Sequence, residues 1–167
     1  GGPKPLAGPL SQLYLARDGR WFIVAAGRCN HAGEGVWRGV TAGNSSLIGV
    51  EAENAGDGKD AWPAIQMNAY ARGCAAILRH IGADDGMVAG HKEYALPKGR
   101  KIDPSFDMIA FREVVADIMA DGLAPAGEPS REVGPAILVD PRRAMLRKGD
   151  RGADVHLLQL KLGIGSD

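Results

Sequence analysis

The sequence predicts an α/β domain, a mixed central sheet flanked by helices, followed by a linker and the truncated opening of a C-terminal helical module. Three observations predict it. Two apolar runs at 10–15 and 21–26 flank an Asp18-Gly19 turn. Apolar residues recur at helical spacing from 61 to 81. A second helical pattern, at Met108, Phe111, Val115 and Ile118, follows a short apolar segment at 87–90. Strands first, then strand, helix, strand and helix, point to helices packed on a sheet.

Each element has its own signal. The opening stretch 1–9 is too rich in Gly and Pro for a helix or a central strand. Residues 10–15 alternate well enough for a short strand, and Trp21-Phe22-Ile23-Val24-Ala25-Ala26 is its return partner, because Asp-Gly tolerates the positive φ of a tight turn. From 27 to 46 the chain reads as loop, carrying Asn30-His31-Ala32-Gly33 and Trp37-Arg38-Gly39. Alternation in the next strand, 47–53, sets Ile48, Val50 and Ala52 on one face and Glu51 and Glu53 on the other. Asp60 is a plausible N-cap for a helix over 61–81, whose apolar stripe runs through Trp62, Ile65, Ala69, Tyr70, Cys74, Ile77, Leu78 and Ile81. Met87-Val88-Ala89-Gly90 reads as a short strand ending at His91, 92–104 as a basic loop, and the last helix stops before Gly122.

This places a first domain at 1–121. Four prolines at 125, 129, 135 and 141 mark 122–143 as a linker. Residues 144–167 hold about one helix of a further unit, too little chain to bury a core of its own.

Composition narrows the function. Lys plus Arg and Asp plus Glu are both 20 in 167 residues, so the formal net charge is zero and there is no electrostatic footprint for nucleic acid. No apolar run approaches the ~20 residues that span a bilayer. Cys29 and Cys74 make no disulfide framework; one bridge between them is geometrically open, and two separate core thiols are the expectation. The N-terminus carries no legible leader and gives no localisation. Nothing in the sequence calls for an oligomer, and a monomer is expected.

Several side chains could carry chemistry. His91 follows Gly90 at the end of an apolar segment, where a side chain can project into a cleft, and Asp103 comes twelve residues later in Lys101-Ile102-Asp103-Pro104. Both types ligate Zn²⁺, although His91 alone suits a hydrogen-bonded loop and Asp103 alone suits a helix cap. Glu51 and Glu53, about 6–7 Å apart by strand rise, could divide acid and base roles or could lie on a solvated face. Cys29 and His31 form a weak Cys-x-His pair. Lys98, Arg100 and Lys101 make a basic cluster near Asp103, either a solvated loop or a source of oxyanion stabilisation.

Together these pieces resemble a known family. Ser11-Gln12-Leu13-Tyr14-Leu15-Ala16-Arg17-Asp18-Gly19, Asn30-His31-Ala32-Gly33, Ile48-Gly49-Val50-Glu51, Gly90-His91 and Lys101-Ile102-Asp103-Pro104 match, in order and spacing, the type 2 N-acetylmuramoyl-L-alanine amidases. That family includes peptidoglycan recognition proteins and phage endolysins, and the Gly- and Ala-rich wording is most similar to endolysins of actinobacterial phages. Residues Leu146-Arg147-Lys148-Gly149-Asp150-Arg151-Gly152, with Leu158-Gln159-Leu160-Lys161-Leu162-Gly163, resemble the start of a type 1 peptidoglycan-binding domain.

The resemblance implies a zinc hydrolase acting on peptidoglycan, cutting the amide between N-acetylmuramic acid and L-alanine. By the same resemblance His91 and Asp103 are zinc ligands, Glu51 assists the attacking water, and Lys101 faces the developing oxyanion. The segment holding Asn30 and His31, together with Trp37, is expected to line the substrate cleft. One departure stands out. The family's first zinc histidine lies on a strand that would precede Gly1, and no histidine here comes before His31. Three expectations follow: a fragment lacking its first strand, a non-catalytic homologue that still binds cell wall, or a replacement ligand from Cys29 or His31. Two further functions stay open beside the amidase: peptidoglycan recognition without catalysis, and a muramidase using Glu51 and Glu53.

Overall fold

The computed structural model describes residues 7–121. The linker expected at 122–143 and the module expected at 144–167 lie outside the described residues. In chain order the elements are β1 (Leu13–Leu15), β2 (Trp21–Ile23), α1 (Gly43–Ser46), β3 (Val50–Ala52), α2 (Ala64–Ile81), a 3-10 turn (Asp85–Met87), α3 (His91–Tyr94) and α4 (Met108–Asp121). The strand order is β2-β1-β3. β1 runs antiparallel to β2 with Leu15 opposite Trp21, and parallel to β3 with Tyr14 opposite Glu51. It is the small mixed sheet with helices that the sequence predicts.

The hairpin forms where Asp18-Gly19 places it. Gly19 sits at φ 84°, a region that favours glycine. The Asp18 carboxylate accepts the Arg20 N–H at 3.1 Å, and Ala16 N–H closes the turn on the Arg20 carbonyl at 2.9 Å. All three strands are shorter than their apolar runs. The N–H groups of Val24 and Ala25 both reach the Gln12 carbonyl, and those of Gln12 and Leu13 both reach the Gly49 carbonyl. Two donors on one acceptor break the two-residue repeat of a ladder, so regular pairing stops there.

α2 starts at Ala64, three residues later than the start at 61 that the sequence predicts. Pro63 is its N-cap with ψ 139°, and a proline biases the residue before it away from helical backbone. Asp60, expected as the cap, instead accepts Arg17 Nη1 at 2.7 Å and the Ala55 N–H at 2.8 Å. The helix ends on Gly82 at φ 69°, with the Ala83 N–H returning to the Leu78 carbonyl at 2.9 Å, a left-handed terminus suited to glycine.

The core lies between α2 and α4. Ala71, Cys74, Ala75 and Leu78 of α2 meet Met108, Phe111 and Val115 of α4, with Phe106 and Tyr70 packed against them. Small residues on α2 let the helices approach closely, and rings fill the remaining space. Tyr70 and Phe111 sit edge-on at 5.2 Å between centroids, and Phe106 and Trp62 at 5.0 Å. On its other side α2 carries the sheet. Trp21 Nε1 donates to the Ala69 carbonyl at 3.2 Å, and its ring lies so close to Gly73 that a Cβ there would stand 2.3 Å from Cζ2. The fully buried Gln66 donates to the Glu53 carbonyl at 2.9 Å.

One expected strand does not form. Met87 ends the 3-10 turn, and residues 88–90 leave it without pairing with any strand among the described residues. Side chains take their polar groups instead: Arg112 Nη1 donates to the Val88 carbonyl at 3.0 Å, and the Gly90 N–H donates to Glu93 Oε2 at 2.9 Å. His91 therefore opens a short helix rather than closing a strand. Among the described residues no helix is long and apolar enough to cross a membrane.

Candidate active site

A hollow of about 630 Å³ is bounded by β3, α2 and the segments around 87–91 and 102–106. Its walls are largely apolar, including Ile77, Leu78, Met87 and Ile102, while His31, Glu51, His91 and Asp103 bring polar groups to it. An ionisable group at such a surface feels its charged neighbours more strongly than it would in open water.

His91 is the best-defined of these groups. Its Nε2 lies 3.1 Å from the Ala32 carbonyl oxygen and its Nδ1 lies 3.0 Å from Asp103 Oδ2. A carbonyl only accepts, so Nε2 carries a hydrogen and donates. In the neutral ring Nδ1 then points a lone pair at a carboxylate. Two lone pairs at that separation repel unless a cation, either a proton or a metal ion, lies between them. The His91 side chain is 21% exposed and that of Asp103 is 54% exposed, so such a cation has solvent access from the carboxylate side.

Glu51 is exposed to solvent on one side, yet its carboxyl is held above the ordinary range for glutamate. Loss of hydration is the largest cause and the negative charge of Asp103 the next; His91 and Lys101 act in the opposite direction. Glu51, His91, Lys101 and Asp103 thus form one electrostatic group. His31 borders it. Its Nε2 donates to the Leu47 carbonyl at 3.2 Å, and its ring packs on Gly49, where a Cβ would come within 2.4 Å of Cγ. Burial depresses its pKa, the hydrogen bond to Leu47 opposes that, and the charge of His91 depresses it further.

Other expected site residues are turned elsewhere. The Asn30 amide donates to the Ala7 carbonyl at 2.9 Å and its oxygen accepts from Arg28 at 3.0 Å, so the side chain faces the N-terminal segment. The Trp37 indole donates to the Gly86 carbonyl at 2.9 Å and carries the Arg112 guanidinium 5.3 Å from its ring centre. Neither lines the hollow. Glu53 also parts from Glu51. Strand alternation ends at Ala52, and the Glu53 carboxylate instead accepts the Arg17 N–H at 3.1 Å and the Tyr14 hydroxyl. The Tyr14 pKa is pushed up to about 12, by burial first and by this hydrogen bond second. Of the basic cluster, Arg100 is bound to the Leu96 and Glu34 carbonyls at 2.7 and 2.6 Å, and Lys98 to the Glu93 carbonyl. The cation acting on Glu51 is Lys101.

Both cysteines are buried free thiols; Cys74 borders the hollow, and burial pushes it up to about 12. Among the described residues no set of three or more His, Cys, Asp and Glu side chains could hold a metal ion. His91 and Asp103 are therefore a pair of donors, suited by type and separation to share one ion, with no third donor from the described residues.

Three groups at the site gave little signal in the sequence. The Ala32 carbonyl orients His91, and no side-chain pattern marks a backbone acceptor. Glu93 binds Arg112 in two parallel bonds of 2.8 and 2.9 Å, behind the start of α3. Lys92 reaches the Pro104 and Phe106 carbonyls, both at 2.7 Å.

A family model described as N-acetylmuramoyl-L-alanine amidase matches residues 4–106, a span that takes in the sheet, α2, α3 and the Asp103 loop. A search of curated proteins finds no match.

Proposed function

The chain belongs to the N-acetylmuramoyl-L-alanine amidase family, and from that premise we propose that it is a zinc-dependent hydrolase of the amide joining N-acetylmuramic acid to L-alanine in peptidoglycan. At family level it is an amidase-type enzyme with peptidoglycan as its substrate class. The zinc, the scissile bond and the residue roles are the proposal.

One observation carries it: His91 Nδ1 lies 3.0 Å from Asp103 Oδ2, which brings two side-chain types that ligate zinc together at the hollow. His91 and Asp103 would hold zinc there, together with a donor from outside the described residues. Bound zinc supplies Lewis acidity to the scissile carbonyl and to the attacking water. Glu51, with its raised pKa, accepts a proton as water adds to the carbonyl carbon and returns it to the L-alanine nitrogen as the C–N bond breaks. Lys101 offers positive charge to the oxygen that becomes anionic in the transition state. The Ala32 carbonyl holds the His91 ring in one orientation throughout, as an outer partner of a metal-binding histidine does.

The test is product chemistry on purified peptidoglycan. The expected products are new L-alanine amino termini without new reducing sugars, and a zinc chelator stops their release. Glu51→Gln is expected to slow release about 10²–10⁴-fold with zinc content unchanged, whereas Asp103→Ala loses the zinc itself. Full zinc content in Asp103→Ala would remove Asp103 from the ligand set, and reducing sugars as the only product would overturn the amidase reading.

One observation favours a second reading, wall recognition without hydrolysis: the described residues bring two donors rather than three. It predicts co-sedimentation with cell wall that ignores chelator and releases no amines. A muramidase has less support, because Glu53 is engaged by Arg17 and Tyr14 and does not line the hollow with Glu51.

A further inference from the structure

Lys92 joins the two segments that carry His91 and Asp103. Its backbone N–H donates to the Asp103 carbonyl at 2.7 Å, and its ammonium donates to the Pro104 and Phe106 carbonyls, both at 2.7 Å. The loop between Lys101 and Asp107 has no helix or strand to occupy these carbonyls. A half-buried ammonium, with three donors and no acceptor, can satisfy two at once. The far end of the loop has its own anchors. Trp62 Nε1 donates to Ser105 Oγ at 2.9 Å, and the Phe106 ring packs on Phe111 at 5.1 Å and on Tyr70 at 6.2 Å. Towards Asp103, the contacts come from α3 through His91 and Lys92.

We propose that Lys92 is a positioning residue that clips the Asp103 loop to α3 and so presents the Asp103 carboxylate to His91 Nδ1. Residues 91 and 92 are consecutive on a helix, so their side chains leave it about 100° apart. His91 meets the loop at the Asp103 carboxylate, while Lys92 meets its main chain at 103, 104 and 106. Attachment from two directions removes the swing that an exposed loop would otherwise give the carboxylate. A donor pair held in register before a cation arrives loses less ordering entropy on binding it. The inference rests on the zinc reading for its metal-binding consequence alone; the clip itself is a property of the metal-free chain.

The test compares Lys92→Met, which keeps the stem and the backbone bond to Asp103 but removes the ammonium donors to 104 and 106, with Lys92→Arg, which restores side-chain donors. In metal-free, ¹⁵N-labelled protein the His91 Nδ1 resonance reports contact with the carboxylate, and Asp103→Ala supplies the reference for its loss. Lys92→Met is expected to move that resonance to the Asp103→Ala position in protein that stays folded by circular dichroism, and Lys92→Arg to keep it at the wild-type position. Zinc titrated against a chelating indicator is expected to bind Lys92→Met about 10–100-fold more weakly than wild type. An unmoved His91 resonance in folded Lys92→Met overturns the proposal. Should Lys92→Met not fold, Lys92→Leu, which likewise has no side-chain donor, is read by the same resonance with the same two outcomes. Wild-type protein that takes up no zinc would overturn the metal reading instead, and the imidazole signal would still decide the clip.

Discussion

Replacing Glu93 with glutamine separates charge from shape behind α3. The Glu93 carboxylate accepts three donors: the Gly90 N–H at 2.9 Å, Arg112 Nη1 at 2.8 Å and Arg112 Nη2 at 2.9 Å. A glutamine amide keeps one oxygen, so its NH₂ must face Arg112 Nη2 in one flip, or both the Gly90 N–H and Arg112 Nη1 in the other, and at least one contact turns repulsive. A hydrogen bond to a charged group is worth about 1.5–3 kcal/mol, and the unpaired guanidinium adds to the cost. The side chains retain 15% exposure at Arg112 and 22% at Glu93, so the total should stay below the ~3–5 kcal/mol of a fully buried pair. A loss of about 2–4 kcal/mol, at ~3–5 °C per kcal/mol for a domain of this size, lowers the melting midpoint by about 10 °C. The pH dependence gives a second check. Burial is the largest influence and raises the Glu93 pKa, but the bonds from Arg112 and Gly90 and the charges of Arg112 and Lys92 outweigh it and hold it below the ordinary range. A depressed carboxyl stabilises the fold above its unfolded pKa, near 4.3, and that contribution is lost as pH falls through the lower folded value. The midpoint gap between wild type and Glu93→Gln should therefore be full at pH 7 and narrow towards pH 3. Circular-dichroism melts measure both. A gap under about 2 °C at pH 7, or one that does not shrink in acid, would refute the reasoning.

The Arg20–Asp18 pair makes a control: at 2.6 Å but with side chains 70% and 51% exposed, it should contribute less than about 1 kcal/mol, and Asp18→Asn should melt within a few degrees of wild type. Gly73→Ala should destabilise by about 1–3 kcal/mol despite alanine's better helix propensity, because its Cβ forces the Trp21 ring off the Ala69 carbonyl; a higher melting midpoint would contradict the packing described here. With Glu51 as the proposed base, its raised pKa should put the acid limb of kcat/KM above the ordinary glutamate range, because protonating the base would stop the reaction. Lys101→Met, which removes a charge that lowers this pKa, should move the limb higher still, measured as a pH–rate profile on soluble muropeptide.

How far the sequence could be read depended on whether a residue's partner was near it in the chain. The Asp18-Gly19 hairpin and the stripe from Tyr70 to Leu78 follow local rules, and they hold. The start of α2 was misplaced because Asp60 looks like a cap until Pro63 is weighed against it. The run at 87–90 has the composition of a strand, but Arg112, twenty-four residues away, takes the Val88 carbonyl. At the site, His91 and Asp103 stood out as chemical types, and the fold brings them within 3.0 Å. Asn30 and Trp37 stood in the right segment, yet Ala7 and Gly86 claim their polar groups. Lys92 carried no signal because its partners are carbonyl oxygens, which every residue has.

The three indoles each hydrogen-bond across a different seam: Trp21 to Ala69 between sheet and α2, Trp37 to Gly86 above the 3-10 turn, and Trp62 to Ser105 beside the Asp103 loop. Tryptophan emission shifts to the red when water reaches the ring, so these residues form a built-in set of fluorescent gauges. Variants that each keep one indole would distinguish a parting of sheet from helix, a loosening ahead of α3 and a lifting of the loop as three separate optical events.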